Sequence, residues 1–128
     1  MFKLPDVVGL IFCEQLKVDQ KSHLVSLDGL FSALRFDVFP SRPIQVTMYA
    51  GLFDGRGEGE MRLTCTRLEN EEDFFYHSRW CSFSMSGQTI HFTMTIRRLF
   101  FPAPGRYAFT LSFDHKPLTT CFIDVRRS

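Results

Sequence analysis

The chain has 128 residues, of which 45% are hydrophobic and 23% are charged, and its net charge is +1. This length predicts one domain, spanning residues 1–128, that is large enough to bury a hydrophobic core. The near-neutral charge argues against nucleic acid or a membrane surface as a partner. No apolar run approaches the roughly 20 residues of a membrane span, and Pro5, Asp6 and Glu14 interrupt any signal peptide. We therefore expect a cytoplasmic protein.

The first half of the chain predicts strands, because apolar and polar residues alternate over several short stretches. Strands are expected near residues 8–18, 23–31 and 44–52. The polar segment 19–22 separates the first two, and the proline-flanked segment 39–43 precedes the third. Alternation with a period of two places one face of each strand in a core and the other face in water.

The second half of the chain continues this pattern. Further strands are expected near residues 61–66, 74–85, 90–97, 106–113 and 118–126. Short strands separated by turn signals at roughly 8–12-residue spacing are typical of sandwiches and barrels. We therefore predict an all-β fold, an antiparallel β-sandwich of seven or eight strands with an Ig- or C2-like outline.

Three local features depart from simple alternation. Residues 31–36 form the best short candidate for a helix. In residues 74–85, alternation predicts Phe74, Tyr76 and Trp80 on one face, whereas the apolar residues from Cys81 onward fall on the other face. This change of phase predicts a β-bulge near Trp80–Cys81 or, alternatively, a first half that is buried on both faces. Residues 53–60 contain three glycines and four charged residues, which predicts a mobile hairpin loop. A strand rather than a helix follows this loop, so it does not resemble a phosphate-binding loop.

The aromatic content is unusual, with 15 Phe, 3 Tyr and 1 Trp. One core face does not need so many rings, which predicts that some of them lie on the surface and contact a partner. The candidate contact residues are Phe74, Tyr76, Trp80, Phe100, Phe101 and Phe122.

The residue pattern lacks a catalytic or metal-binding constellation. Cys13, Cys65, Cys81 and Cys121 are isolated and lack the paired spacing of a zinc site, so we expect free, buried thiols. The loops hold single aspartates rather than the clustered oxygen ligands that calcium requires. The histidines fall on polar faces or in turns. We therefore predict that the protein is not an enzyme and has no cofactor and no metal site.

Several phrases occur in an order that resembles a known family. They are Cys13-Glu14, the segment 26–31 (SLDGLF), Phe39-Pro40 and the segment 101–109, which reads FPxPGxYxF. Together they are similar to a family of small bacterial β-sandwich proteins of unknown function, and the resemblance covers nearly the whole chain. It implies the sandwich fold and a bacterial, cytoplasmic setting, and it implies no catalytic residue or cofactor.

These features favour a non-catalytic protein-interaction module, or an accessory subunit of a bacterial cytosolic assembly. The expected partner is another protein or a second copy of this chain. The alternative is a β-sandwich that binds a small ligand or a carbohydrate through its exposed aromatic side chains. A groove beside Trp80 favours the ligand, whereas a flat apolar patch favours a protein.

Overall fold

The structure is a computed structural model that describes residues 2–83, 87 and 89–128. Its strands are β1 (Asp6–Val18), β2 (Val25–Phe31), β3 (Ala33–Phe36), β4 (Ile44–Phe53), β5 (Gly57–Arg67), β6 (Glu72–Phe83), β7 (Thr89–Leu99), β8 (Gly105–Phe113) and β9 (Lys116–Arg127). The described residues contain no helix, and hence none that is long and apolar enough to span a membrane. The all-β prediction is confirmed. The end of the strand predicted at 74–85 lies outside the described residues.

The strands form two sheets. The four-stranded sheet has the order β2-β1-β4-β7, and the five-stranded sheet has the order β3-β9-β8-β5-β6. The pairings are antiparallel except for that of β3 with β9, which is parallel. Residues 33–36 therefore belong to a strand rather than to the helix considered for this segment. The described chain has nine strands rather than the predicted seven or eight. The additional strand is β3, whose four residues are too few to show a period in the sequence.

The hydrophobic core lies between the two sheets. Every second residue of β5 from Gly59 to Cys65 is buried, as a period of two requires. The ring of Phe12 from one sheet packs against the ring of Phe109 from the other, with 4.6 Å between their centroids. Burial of each such side chain contributes about 1.5–3 kcal/mol to the free energy of folding. The sandwich prediction is thus confirmed by its core.

An aromatic cluster closes one end of the core. The ring of Tyr107 lies 4.9 Å from that of Phe101 and 5.4 Å from that of Phe74, centroid to centroid. The Tyr107 hydroxyl donates a hydrogen bond to the carbonyl of Ala103. The Phe101 amide donates to the hydroxyl of Ser41 at 2.9 Å. These bonds tie the loop between β7 and β8 to the core.

The β-bulge of β6 lies at Phe74, and the prediction of a bulge near Trp80–Cys81 is wrong. The register of β5 and β6 runs unbroken from Gly57–Phe83 to Cys65–Phe75 and shifts only beyond Cys65. A bulge places two successive side chains on one side of a sheet. Phe74 and Phe75 accordingly both pack against the core.

The glycine-rich segment is docked onto the sandwich, and the loop is shorter than the predicted residues 53–60, because β4 ends at Phe53 and β5 begins at Gly57. Lys3 and Arg56 exchange two backbone hydrogen bonds of 3.0 Å. A Cβ atom on Gly55 would come within 3.0 Å of both Phe83 and Pro5. The glycines therefore permit close packing of the backbone here, and β5 already begins at Gly57.

The cysteines are free thiols, as predicted. Cys13 and Cys65 are buried, and Cys81 and Cys121 are half-buried. Desolvation by burial raises the pKa of the Cys121 thiol to about 11. Burial raises the pKa of the Cys65 thiol further still. Both thiols therefore stay protonated in the folded chain at a pH where they ionise in the unfolded chain.

We expect the free energy of unfolding to fall at alkaline pH. An exposed thiol ionises with a pKa near 8.5, so the unfolded chain loses protons first. The stabilisation is fully present below about pH 8.5 and is lost as the pH rises towards 11. Urea unfolding at about pH 7.5 and pH 10 measures the loss. Cys121→Ala and Cys65→Ala should each reduce it, and an unchanged loss in both variants contradicts the assignment.

Candidate interaction surface

Trp80 and Tyr76 lie on the outer face of β6, an edge strand of the five-stranded sheet. They pair with Glu60 and Thr64 of β5, which alternate with the buried residues of that strand and so face away from the core. The exposed fraction is 63% for Trp80 and 66% for Tyr76. Large aromatic side chains with so much exposed surface mark a candidate contact site.

These two rings belong to a surface that we call the outer strip, formed by Tyr76, Ser78 and Trp80 of β6 with Arg62 of β5. Four strand positions separate the rings, which corresponds to about 14 Å at 3.4 Å per residue. The guanidinium carbon of Arg62 lies 5.0 Å from the centroid of the Tyr76 ring. Arg62 also contacts a carboxylate oxygen of Glu60 at 3.1 Å. The distance between Arg62 and the Tyr76 ring is that of a cation–π contact, which contributes about 0.5–1 kcal/mol at an exposed site.

Phe122 lies on the same outer face but three strands away, on β9. It is 43% exposed, and the guanidinium carbon of Arg106 lies 4.4 Å from its ring centroid. The surface between β6 and β9 is polar, with Thr64, Thr110 and Thr120 in one row across the sheet. At about 4.8 Å per strand, Phe122 lies too far from β6 to contact Trp80.

The structure brings Phe74 and Phe100 together in a separate place, a cleft of about 250 Å³ at the end of the sandwich that we call the rim cleft. Phe100 is 48% exposed, whereas Phe74 packs on the buried Tyr107. The bulge of β6 turns Phe74 away from the face of Tyr76, so the prediction that these two share a face is wrong. The residues that line the rim cleft are Arg67, Asn70, Glu72, Phe74, Phe100 and Pro102.

Phe101 is a core residue, and its prediction as a surface contact residue is wrong. Its exposed fraction is 0%, and its ring packs against Tyr107 and Phe36. β7 ends at Leu99, so alternation along the strand no longer applies to the two residues that follow. The chain turns there, with Phe100 directed to the surface and Phe101 to the interior.

Sequence reasoning missed a cleft of about 390 Å³ on the side of the sandwich, which we call the side cleft. Its charged residues are Glu14, Arg35 and Arg42, and the guanidinium carbon of Arg42 lies 5.4 Å from the Phe36 ring centroid. The full lining is Glu14, Phe31, Ala33, Leu34, Arg35, Phe36, Arg42, Ile44, Gln45 and Val46. These residues come from separate segments, so no local motif in the sequence marks them.

A second exposed apolar surface, on the outer face of the four-stranded sheet, was also missed. Leu30 is 61% exposed and Val8 is 73% exposed, whereas Ile11 and Phe53 are 37% and 39% exposed. The register of β1 and β4 shifts between Val7 and Gly9. That shift changes which residues of β1 face outward, which the alternation pattern alone does not reveal.

The potential metal ligands remain dispersed. Within residues 2–83, 87 and 89–128, no group of three or more His, Cys, Asp and Glu side chains is placed to hold a metal ion. The histidines are exposed, and a nitrogen of His91 is hydrogen-bonded to the hydroxyl of Tyr49. The His91–Tyr49 pair joins neighbouring strands β7 and β4.

Comparison with protein families gives a match to the model of DUF6941, a family of unknown function, over residues 9–126. The chain has no significant match among curated proteins. Among solved structures, it is similar to the CARDB domain of a protein from Pyrococcus furiosus that was crystallised in complex with di-metal ions. That similarity covers 98% of this chain and 91% of the other, with 10% sequence identity and a TM-score of 0.41.

Proposed function

We propose that the chain, which belongs to the DUF6941 family of unknown function, is a non-catalytic protein-interaction module. It binds another protein, or a second copy of itself, through the outer strip. The setting that we propose is a bacterial cytoplasmic assembly in which the chain is an accessory subunit. The observation that carries the proposal is the exposure of Trp80 and Tyr76 on one face of an edge strand.

The composition and shape of the outer strip support a protein partner. Trp, Tyr and Arg are the residue types most enriched at the energetic centres of protein interfaces, and Trp80, Tyr76 and Arg62 supply one of each. The two rings are 63% and 66% exposed, so most of their surface is open to a partner. An open surface with exposed rings is the shape that a protein partner covers.

The alternative function, binding of a small ligand, is supported by a different place in the structure. The side cleft, at about 390 Å³, has the volume of a small-molecule site. It combines apolar side chains such as Phe31 and Ile44 with the charges of Glu14 and Arg42. A ligand there has no contact with Trp80, so substitutions in the two surfaces separate the alternatives.

We expect Trp80→Ala to weaken association with the partner, or self-association, at least ten-fold. Interface energy concentrates in a few aromatic anchors, and truncation removes one of them. Because Trp80 is 63% exposed, the free energy of unfolding should change by less than about 1 kcal/mol. Sedimentation velocity measures self-association, and quantitative capture from an extract of the source organism measures partner binding.

The matched control is Leu30→Ala, which truncates a side chain of similar exposure, 61%, on the outer face of the other sheet. It should leave association unchanged. If Leu30→Ala weakens association and Trp80→Ala does not, the interacting face is that of the four-stranded sheet. A severe loss of stability in Trp80→Ala also removes the support for the outer strip.

A further inference from the structure

The middle of β6 is exposed on both faces of the sheet and along one edge. Residues 76–80 are five consecutive exposed residues in a strand of 12 residues. One edge of β6 pairs with β5 without interruption from Phe75 to Phe83. Within the described chain no strand and no backbone hydrogen bond joins the other edge. The N–H and C=O groups on that edge are therefore open to a further strand.

The other edge strands of the described chain are less suited to pairing with a further strand. β3 has four residues, and β2 has seven and contains Gly29 at a φ of 72°, outside the extended region. β7 is long, but its core-side residues Phe92, Met94 and Ile96 are already buried. Among the edge strands described, β6 alone combines length with two open faces.

The two faces of β6 differ in their chemistry. The outer face presents the rings of Tyr76 and Trp80. The core side presents His77 and Arg79, which are exposed although they pair with buried residues of β5. The guanidinium carbon of Arg79 lies 4.5 Å from the centroid of the Phe92 ring. Among the described residues, no carboxylate forms a salt bridge with Arg79.

This charge arrangement selects the occupant of the edge. If β6 pairs antiparallel with β6 of a second copy about residue 78 or 79, the two Arg79 side chains lie at diagonal or directly opposite positions, and like charges that close are unfavourable. A strand that alternates acidic with apolar residues instead matches both faces. Its acidic side chains lie beside Arg79, and its apolar side chains lie beside Tyr76 and Trp80.

We propose that the partner binds by strand addition, with an extended segment of alternating acidic and apolar residues along the free edge of β6. The segment becomes a sixth strand of the five-stranded sheet. Its main-chain hydrogen bonds supply affinity, and the contacts with Arg79, Tyr76 and Trp80 supply specificity. This inference rests on the proposed function and defines how the outer strip is engaged.

Selection from a random 12-residue peptide-display library on the immobilised full chain tests this proposal. We expect the enriched peptides to alternate acidic and apolar residues. A synthesised peptide from that set should shift the fluorescence of Trp80, the single tryptophan of the chain. Arg79→Glu should weaken its binding at least ten-fold. Arg35→Glu, the same charge change on β3 at the opposite edge of the sheet, should leave binding unchanged.

The main-chain hydrogen bonds between the peptide and β6 are tested with two forms of the selected peptide. One form is N-methylated at its odd-numbered residues and the other at its even-numbered residues. A strand presents only alternate N–H groups to its neighbour. One form should therefore lose at least ten-fold in affinity, while the other keeps it. Equal affinities of the two forms, or a selection that enriches no alternating sequences, overturns strand addition.

Failure of this inference is distinguishable from failure of the proposed function. If Trp80→Ala weakens partner binding and no alternating peptide is enriched, the interaction module stands and strand addition is wrong. If alternating peptides are enriched and Trp80→Ala binds the partner normally, strand addition stands and the aromatic contact is wrong. A thermal melt of each variant confirms that the fold is retained.

Discussion

Phe101→Ala is expected to lower the free energy of unfolding by about 3–5 kcal/mol. The side chain is 0% exposed, and its removal leaves a cavity beside the rings of Tyr107 and Phe36. A loss of this size is a large fraction of the stability of an ordinary domain, which is about 5–15 kcal/mol. Urea denaturation followed by far-UV circular dichroism measures the change.

The preceding residue supplies the control for this substitution. Phe100 is 48% exposed and lines the rim cleft, so Phe100→Ala should cost less than about 1 kcal/mol. The two variants remove the same atoms from adjacent positions. Similar losses of stability in both would show that the chain after β7 does not divide these rings between surface and core.

The second large effect is expected for Phe12→Ala, again at about 3–5 kcal/mol. Phe12 is 2% exposed and joins the two sheets through its contact with Phe109. Its neighbour Ile11 faces outward, is 37% exposed and pairs with Tyr49. Ile11→Ala should cost clearly less than Phe12→Ala in the same unfolding assay. The reverse order would mean that β1 is shifted by one residue, because such a shift exchanges its two faces.

The candidate contact residues show where sequence patterns succeed and where they fail. Residues at spacings of two and four lie on the same side of a strand, which predicts Tyr76 and Trp80 on one face, and in the structure they lie on one face. Phe74 fits the same spacing but is partly buried against the core, because the bulge interrupts the period there. Phe101 lies beyond the strand, where no period applies.

The clefts illustrate a different limit. The rim cleft joins Arg67 of β5 to Phe100 after β7, and the side cleft joins Glu14 of β1 to Arg42 before β4. Each cleft depends on the order of the strands within the two sheets and on how the sheets pack against each other. The sequence contains no local signal for that order, since antiparallel strands of similar pattern pair in several arrangements with comparable local energies.

The sequence by itself determined that this protein is an all-β sandwich with free cysteines. Alternation and turn residues act over a few neighbouring positions, so they are readable from the chain alone. Only the tertiary structure decided that β6 is an edge strand and that Trp80 faces away from the core. Those features depend on which distant strands pair and in what register, because the core accepts only one face of each strand.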